Sequence, residues 1–189
     1  MDETKTMQNT EAGEKKPWLK TLDMVYIGMF VAIMAVCSWI SVPTTVPFTL
    51  QTFAVVCAVL MLGFARGTVA VIVYILLGLV GVPVFAGFTG GLGKLAGPTG
   101  GYIVGFIFTA LITGAITAKF GKKIYVEIIA AVLGLAVCYV FGTVWFMILG
   151  SYDLPTALAY CVIPFLLPEV VKIALAILVD KSVSRVIRI

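Results

Sequence analysis

Between residues 22 and 186 the chain is one apolar run after another, with short polar breaks. A helix that crosses a bilayer needs about 20 mostly apolar residues. Six stretches meet or approach that length: 22–40, 50–64, 68–82, 100–118, 124–149 and 165–186. The second and third are short, and the fifth is long enough to tilt. Hydrophobic residues make up 61% and charged residues 12%, against about 25% charged in a soluble domain. Water would not tolerate that much exposed apolar surface, whereas lipid would, provided the backbone satisfies itself. The runs show no alternation of period two, which argues against a barrel. The expected fold class is an all-α integral membrane protein with six transmembrane helices.

The charges fix an orientation. Lys15, Lys16 and Lys20 precede the first run, and Arg66 separates the second and third. Lys119, Lys122 and Lys123 separate the fourth and fifth, and Lys181, Arg185 and Arg188 close the chain. Six spans put all of these on one side, and five or seven would split them. The other connections hold a single cation, Lys94. Basic loops stay inside, so both termini are expected in the cytoplasm. The net charge of +4 therefore marks topology; no basic patch with interleaved aromatics suggests nucleic acid. Residues 1–20 are polar and lack the apolar core of a signal peptide. They are expected to form a disordered cytoplasmic tail, followed by one six-helix domain over 21–189. Trp18 is placed at the interface as an anchor.

The outer connections, 42–51, 83–102 and 150–168, are too apolar to be simply solvated. Irregular backbone at membrane depth survives where protein buries it or where it lines a cavity. They are expected to fold into the outer half of the bundle and cap a pocket, with a short extra helix over 155–163. No inverted pair of broken helices is evident.

Little here supports catalysis. There is no histidine, and Cys37, Cys57, Cys138 and Cys161 are scattered through apolar sequence with no CxxC pair. They read as small buried hydrophobes. No metal ligand set, nucleophile–base pair or intrinsic cofactor motif is present, so the chain is not expected to be an enzyme. The glycine-rich stretch from Gly87 to Lys94 fails as a phosphate loop: five residues separate Gly87 from Gly93, and Leu95 stands where Ser or Thr is needed. It reads either as a tight turn or as a loop whose glycines let backbone approach a ligand. Lys94 within it either snorkels or binds a carboxylate.

Glu169 and Lys172 stand out most. They are three apart on one face of the last helix, and Pro168 suits a helix start nearby. Ionisable groups in a spanning segment are rare and face a cavity or each other. The pair either fixes packing or offers acceptors and donors to a polar ligand head. Gln51, beside Thr49 and Thr52, needs a partner in an apolar run; that partner is another helix or a ligand. Phe85, Phe88, Tyr102 and Trp145 are candidate aromatic walls, with core packing the better role for Trp145. Gly28 and Ala32 form a small-xxx-small pair on the first helix, serving either the bundle itself or a second membrane subunit. Glu127 and Asp180 read as interfacial, and Asp153 as solvated.

Four motifs taken together resemble the BioY family, the biotin-specific substrate-binding subunits (S components) of energy-coupling-factor (ECF) transporters. They are Val46-Pro-Phe-Thr-Leu-Gln-Thr52, Gly81-Val-Pro-Val-Phe-Ala-Gly87, Gly97-Pro-Thr-Gly-Gly-Tyr102, and Pro164-Phe-Leu166 leading to Glu169 and Lys172. The family pattern carries Asp where this chain has Glu169; the extra methylene keeps the charge and lengthens the reach. The resemblance implies a six-helix S-component bundle in a prokaryotic cell membrane. It implies biotin bound near the outer face, under the loop between the first two helices. The expected ligand-binding residues are Thr49, Gln51, Phe85, Phe88, Lys94, Gly97, Tyr102, Glu169 and Lys172. Gly28 and Ala32 become the docking surface for a transmembrane coupling subunit, and two ATPase subunits alone use ATP.

Overall fold

The structure, a computed structural model, describes residues 20–42 and 46–186, with backbone only at 185 and 186. The expected tail with Trp18, the middle of the first outer loop and Arg188 lie outside the described residues. In order, the elements are α1 (Thr21–Trp39), β1 (Ser41–Val42), β2 (Phe48–Thr49), α2 (Gln51–Leu62), α3 (Phe64–Leu79), α4 (Leu92–Leu95), α5 (Gly100–Phe120), α6 (Ile124–Gly150), α7 (Leu154–Cys161) and α8 (Ile163–Val186). β1 and β2 pair antiparallel, with Ser41 opposite Thr49 and Val42 opposite Phe48. Among the described residues, four stretches are long and apolar enough to cross a membrane: α1, α5, α6 and Leu154–Ser184. α2 and α3 are shorter apolar helices.

α2 is the centre of the bundle and packs against α1, α3, α5 and α8. From Ala54 to Leu60 hardly any surface remains accessible. It is apolar all round, as a fully enclosed helix must be. One residue, Gly63 at φ 81°, joins it to α3. That positive φ is open to glycine at no steric cost, and it lets the chain reverse without a loop. Gly67 then lies against Val59, where an added Cβ would meet backbone at 2.6 Å.

α5 and α6 lie against each other along a seam of small residues. A Cβ on Gly101 would meet Trp145, one on Gly105 would meet Cys138, and one on Gly142 would meet Tyr102, all within 2.7 Å. Thr109 Oγ1 donates to Gly134 O at 3.1 Å and Thr113 Oγ1 to Ala130 O at 3.2 Å. Lipid gives no hydrophobic force between helices, so close packing and such hydroxyl bonds hold them.

The basic end of the bundle is more buried than the sequence suggests. Glu127 and Asp180, expected at the interface, are both fully inaccessible. Lys181 bonds Glu127 and lies 3.7 Å from Asp180, while Lys122 bonds the Leu60 carbonyl and lies 3.8 Å from Asp180. The lysines bring positive charge inward and tie α2, α6 and α8 together. Asp153 is exposed as expected. Helix α8 begins at Ile163, so Pro168 sits inside it. Lacking an N–H, Pro168 leaves the Pro164 carbonyl without its helical donor.

Three outcomes test this packing. Gly105→Val should destabilise the purified protein by about 1–3 kcal/mol, the usual cost of overpacking. Gly28→Ala, where an added Cβ meets nothing within 4 Å, should leave the melting temperature unchanged or slightly raised. Lys181→Ala should cost about 3 kcal/mol or more, because it strands a buried carboxylate. Thermal melts in detergent read all three.

Candidate functional site

The cavity lies at the end of the bundle opposite the lysine cluster. The empty space there is about 590 Å³, open solvent at its mouth included. All three outer connections supply wall: Val46 and Pro47 from the first, Phe85, Ala86, Lys94 and Thr99 from the second, and Cys161 of α7 from the third. The start of α2 adds Gln51 and Thr52, α6 adds Tyr139, and α8 adds Phe165 and Lys172.

Its polar end is a connected network. Lys172 Nζ donates to Glu169 Oε2 at 2.9 Å and to Thr52 Oγ1 at 2.9 Å. The same ammonium stands 4.5 Å from the centre of the Phe48 ring, a distance at which the ring face attracts a cation. Tyr139 donates from α6 to Glu169 Oε2 at 3.0 Å. Glu169 and Lys172 are 6% and 4% exposed, so this is a buried pair, not a surface one. Glu169 sits one bond behind the wall, which Lys172 and Tyr139 form in front of it.

A second network shapes the side wall. Gln51 Nε2 donates to the Tyr74 hydroxyl, which donates to Val84 O at 2.9 Å. Ser38 donates to the same carbonyl. These bonds pin the segment that carries Phe85. Its ring drops edge-on against Tyr74 at 5.6 Å and fits only because Gly78 has no Cβ; one placed there would meet the ring at 2.0 Å. The amide of Gln51 is thus engaged across helices, while its side chain still borders the cavity. Thr49 Oγ1 accepts from the Gln51 backbone N–H at 3.3 Å, holding the turn into α2.

At the mouth, Lys94 lies half-buried on the short helix α4. Its loop is tied down from α6: Trp145 Nε1 donates to Gly97 O at 3.1 Å. Gly97 is therefore a tether point behind the wall, and Trp145 holds the lysine's loop as well as packing. Tyr102 borders the cavity, its hydroxyl 3.3 Å from Thr143 Oγ1 and 3.4 Å from Cys161 O. Phe88 stands apart from this group. At φ 56° it turns outward, 65% exposed, and stacks on Trp39 at 4.8 Å.

Of the residues singled out from sequence, the cavity brings together Thr49, Gln51, Phe85, Lys94, Tyr102 and Lys172, with Glu169 behind them. Gly28 and Ala32 lie elsewhere, on the outward face of α1. Tyr139 and Phe165 escaped the sequence reading. A phenol in the middle of an apolar span was the available signal for Tyr139, since its hydroxyl needs a partner there. Among the described residues no group of acidic, histidine or cysteine side chains is arranged to hold a metal.

Comparison with known proteins agrees with this architecture. A crystal structure of the S-component for biotin from an ECF-type ABC transporter superposes with a TM-score of 0.81 at 22% identity, covering 98% of this chain and 95% of that one. That likeness establishes the fold. A biotin transporter BioY from Thermotoga maritima is 39% identical over 82% of this chain and 92% of its own length. A probable biotin transporter BioY from Pyrococcus horikoshii is 36% identical over 88% and 98%. Biotin transporter BioY2 from Lactococcus lactis is 32% identical over 95% and 94%. Residues 7–189 match the family described as BioY, and on that match and these relatives the chain belongs to the BioY family.

Proposed function

We propose that the chain is a substrate-capture subunit of an ECF-type uptake transporter, taking biotin from the outer face of a prokaryotic cell membrane. The observation that carries this reading is the buried Glu169–Lys172 pair at the base of an apolar-walled cavity, in a chain of this family. Biotin matches that cavity in chemistry. Its ureido ring carries two N–H donors and one strong acceptor, which suit Glu169 and Lys172. Its thioether ring is apolar and suits Phe85, Phe165 and Tyr102. Its valerate carboxylate suits the Lys94 ammonium at the mouth. A structural pair alone would gain little, because burying two charges costs about what their attraction returns.

Six spans complete the picture. α2 and α3, about 18 and 24 Å long at 1.5 Å per residue, act as two short spans, with the β1–β2 hairpin and the second outer loop filling the outer leaflet. Both termini then lie in the cytoplasm beside the lysine cluster. With no phosphate loop of its own, the chain draws energy from partners: a transmembrane coupling subunit and two ABC-type ATPase subunits. The outward face of α1 is the docking surface. Gly28 and Ala32 are exposed there between Val25, Met29 and Val36, so a partner helix approaches closely.

Equilibrium binding of radiolabelled biotin to the detergent-purified chain tests the capture role. Saturable binding near one per chain is expected, weakened about 100-fold in Lys172→Ala, as loss of charge-assisted bonds and a stranded carboxylate demand. Full affinity in a folded Lys172→Ala protein would move the polar contacts away from α8. Rapid uptake by the chain alone in liposomes would favour a stand-alone carrier. The docking face is tested separately. Gly28→Leu with Ala32→Leu should leave biotin affinity unchanged and abolish co-purification with the coupling subunit.

A further inference from the structure

A buried phenol fixes which way one amide of the cavity wall points. Tyr74, on α3, is wholly buried and does not itself border the cavity. Its hydroxyl oxygen lies 2.9 Å from Val84 O. Two oxygens that close need a hydrogen between them, and a carbonyl has none to give. Tyr74 therefore spends its one proton on Val84. Toward Gln51 its oxygen can only accept, and of the two ends of the Gln51 amide only Nε2 donates. The sense of an amide is read from its network; here Nε2 points to Tyr74 and Oε1 points away.

Oε1 is thus left over. It makes no hydrogen bond among the described residues, and it is not one of the side-chain oxygens sealed off without a partner. Gln51 is 5% exposed and borders the cavity, so the surface that Oε1 keeps is cavity surface. The bordering lysines, Lys94 and Lys172, can only donate. Among the described residues, Gln51 is the one bordering side chain with a carbonyl oxygen. Thr52, next in the chain, takes the Lys172 ammonium, so this acceptor and a cation stand at the same end of the cavity.

Resting on the biotin reading, we propose that Gln51 is a specificity-determining residue whose Oε1 accepts one N–H of the ligand's cyclic urea. Tyr74 is the positioning residue that holds the amide in that sense. Such a site selects for the donor itself. An apolar pocket discriminates weakly between near-isosteres, whereas a buried acceptor left unpaired rejects a ligand that lacks the matching N–H.

The test compares biotin with its two cyclic-carbamate isosteres, in which one or the other ureido N–H is replaced by oxygen. Neither adds bulk. On the detergent-purified wild-type chain, one isostere should bind about 10- to 100-fold more weakly than biotin, as expected when a buried acceptor loses its donor. Gln51→Met should weaken biotin about tenfold while scarcely moving that isostere, so the ratio between them collapses. Tyr74→Phe leaves Val84 O its bond from Ser38 and frees the amide to turn Nε2 toward the cavity. It should therefore weaken biotin and strengthen the discriminated isostere, a reversal that loss of packing cannot produce. Equal weakening of both ligands in Gln51→Met would mean that the side chain only packs, and would overturn the assignment. An unchanged ratio in Tyr74→Phe would overturn the positioning role. A wild-type chain that binds both isosteres as tightly as biotin would overturn the proposal with no variant needed. Failure of the wild-type chain to bind biotin would instead overturn the functional reading beneath.

Discussion

A bilayer core offers no water to an unpaired polar group, and the distribution of polarity in this protein follows from that constraint. Charged side chains gather at the two ends of the bundle. At one end Lys122 and Lys181 hold Glu127 and Asp180. At the other, Lys172 holds Glu169 beside the cavity. Between them α2 forms a dry waist, with Val55, Ala58, Val59 and Leu60 entirely inaccessible. The waist lies between the cavity and the lysine end.

The two ends use similar chemistry for different purposes. In the lysine cluster each ammonium also takes a backbone carbonyl, Leu60 for Lys122 and Lys122 for Lys181. Those bonds join three helices. At the cavity end the partners are a hydroxyl, a phenol and an aromatic face. These are groups that also recognise a small polar ring. The rigid seam of α5 against α6 matters here, because it sets the position of Tyr102 and Tyr139 relative to α8. Glycine at 101, 105 and 142 brings those two helices close enough for Trp145 to reach Gly97. Precision at the site thus originates in backbone packing several residues away.

Much of this was legible from the chain. Long apolar runs marked the helices to within a few residues, because length and hydropathy decide them. The short helix α7 was visible as an apolar stretch opened by Pro155. Glu169 and Lys172 stood out because charge is rare at that depth. Other features depend on tertiary contacts that no local pattern encodes. Glu127 meets Lys181 across 54 positions, so its burial could not be read from neighbouring lysines. The central place of α2 was hidden because a helix apolar all round has no preferred face. Phe88 looked like wall, yet one left-handed residue turns its ring outward onto Trp39. Tyr139 went unread in the sequence, because only the fold places Glu169 opposite its hydroxyl.

The most direct measurement is a structure of the full chain with biotin bound. The account predicts ligand density in the cavity, with the ureido ring at Glu169 and Lys172 and the carboxylate reaching toward Lys94. Density in the cavity with the carboxylate on Lys172 would reverse the orientation. Density elsewhere in the bundle, with the Glu169–Lys172 pair unchanged, would contradict the account outright.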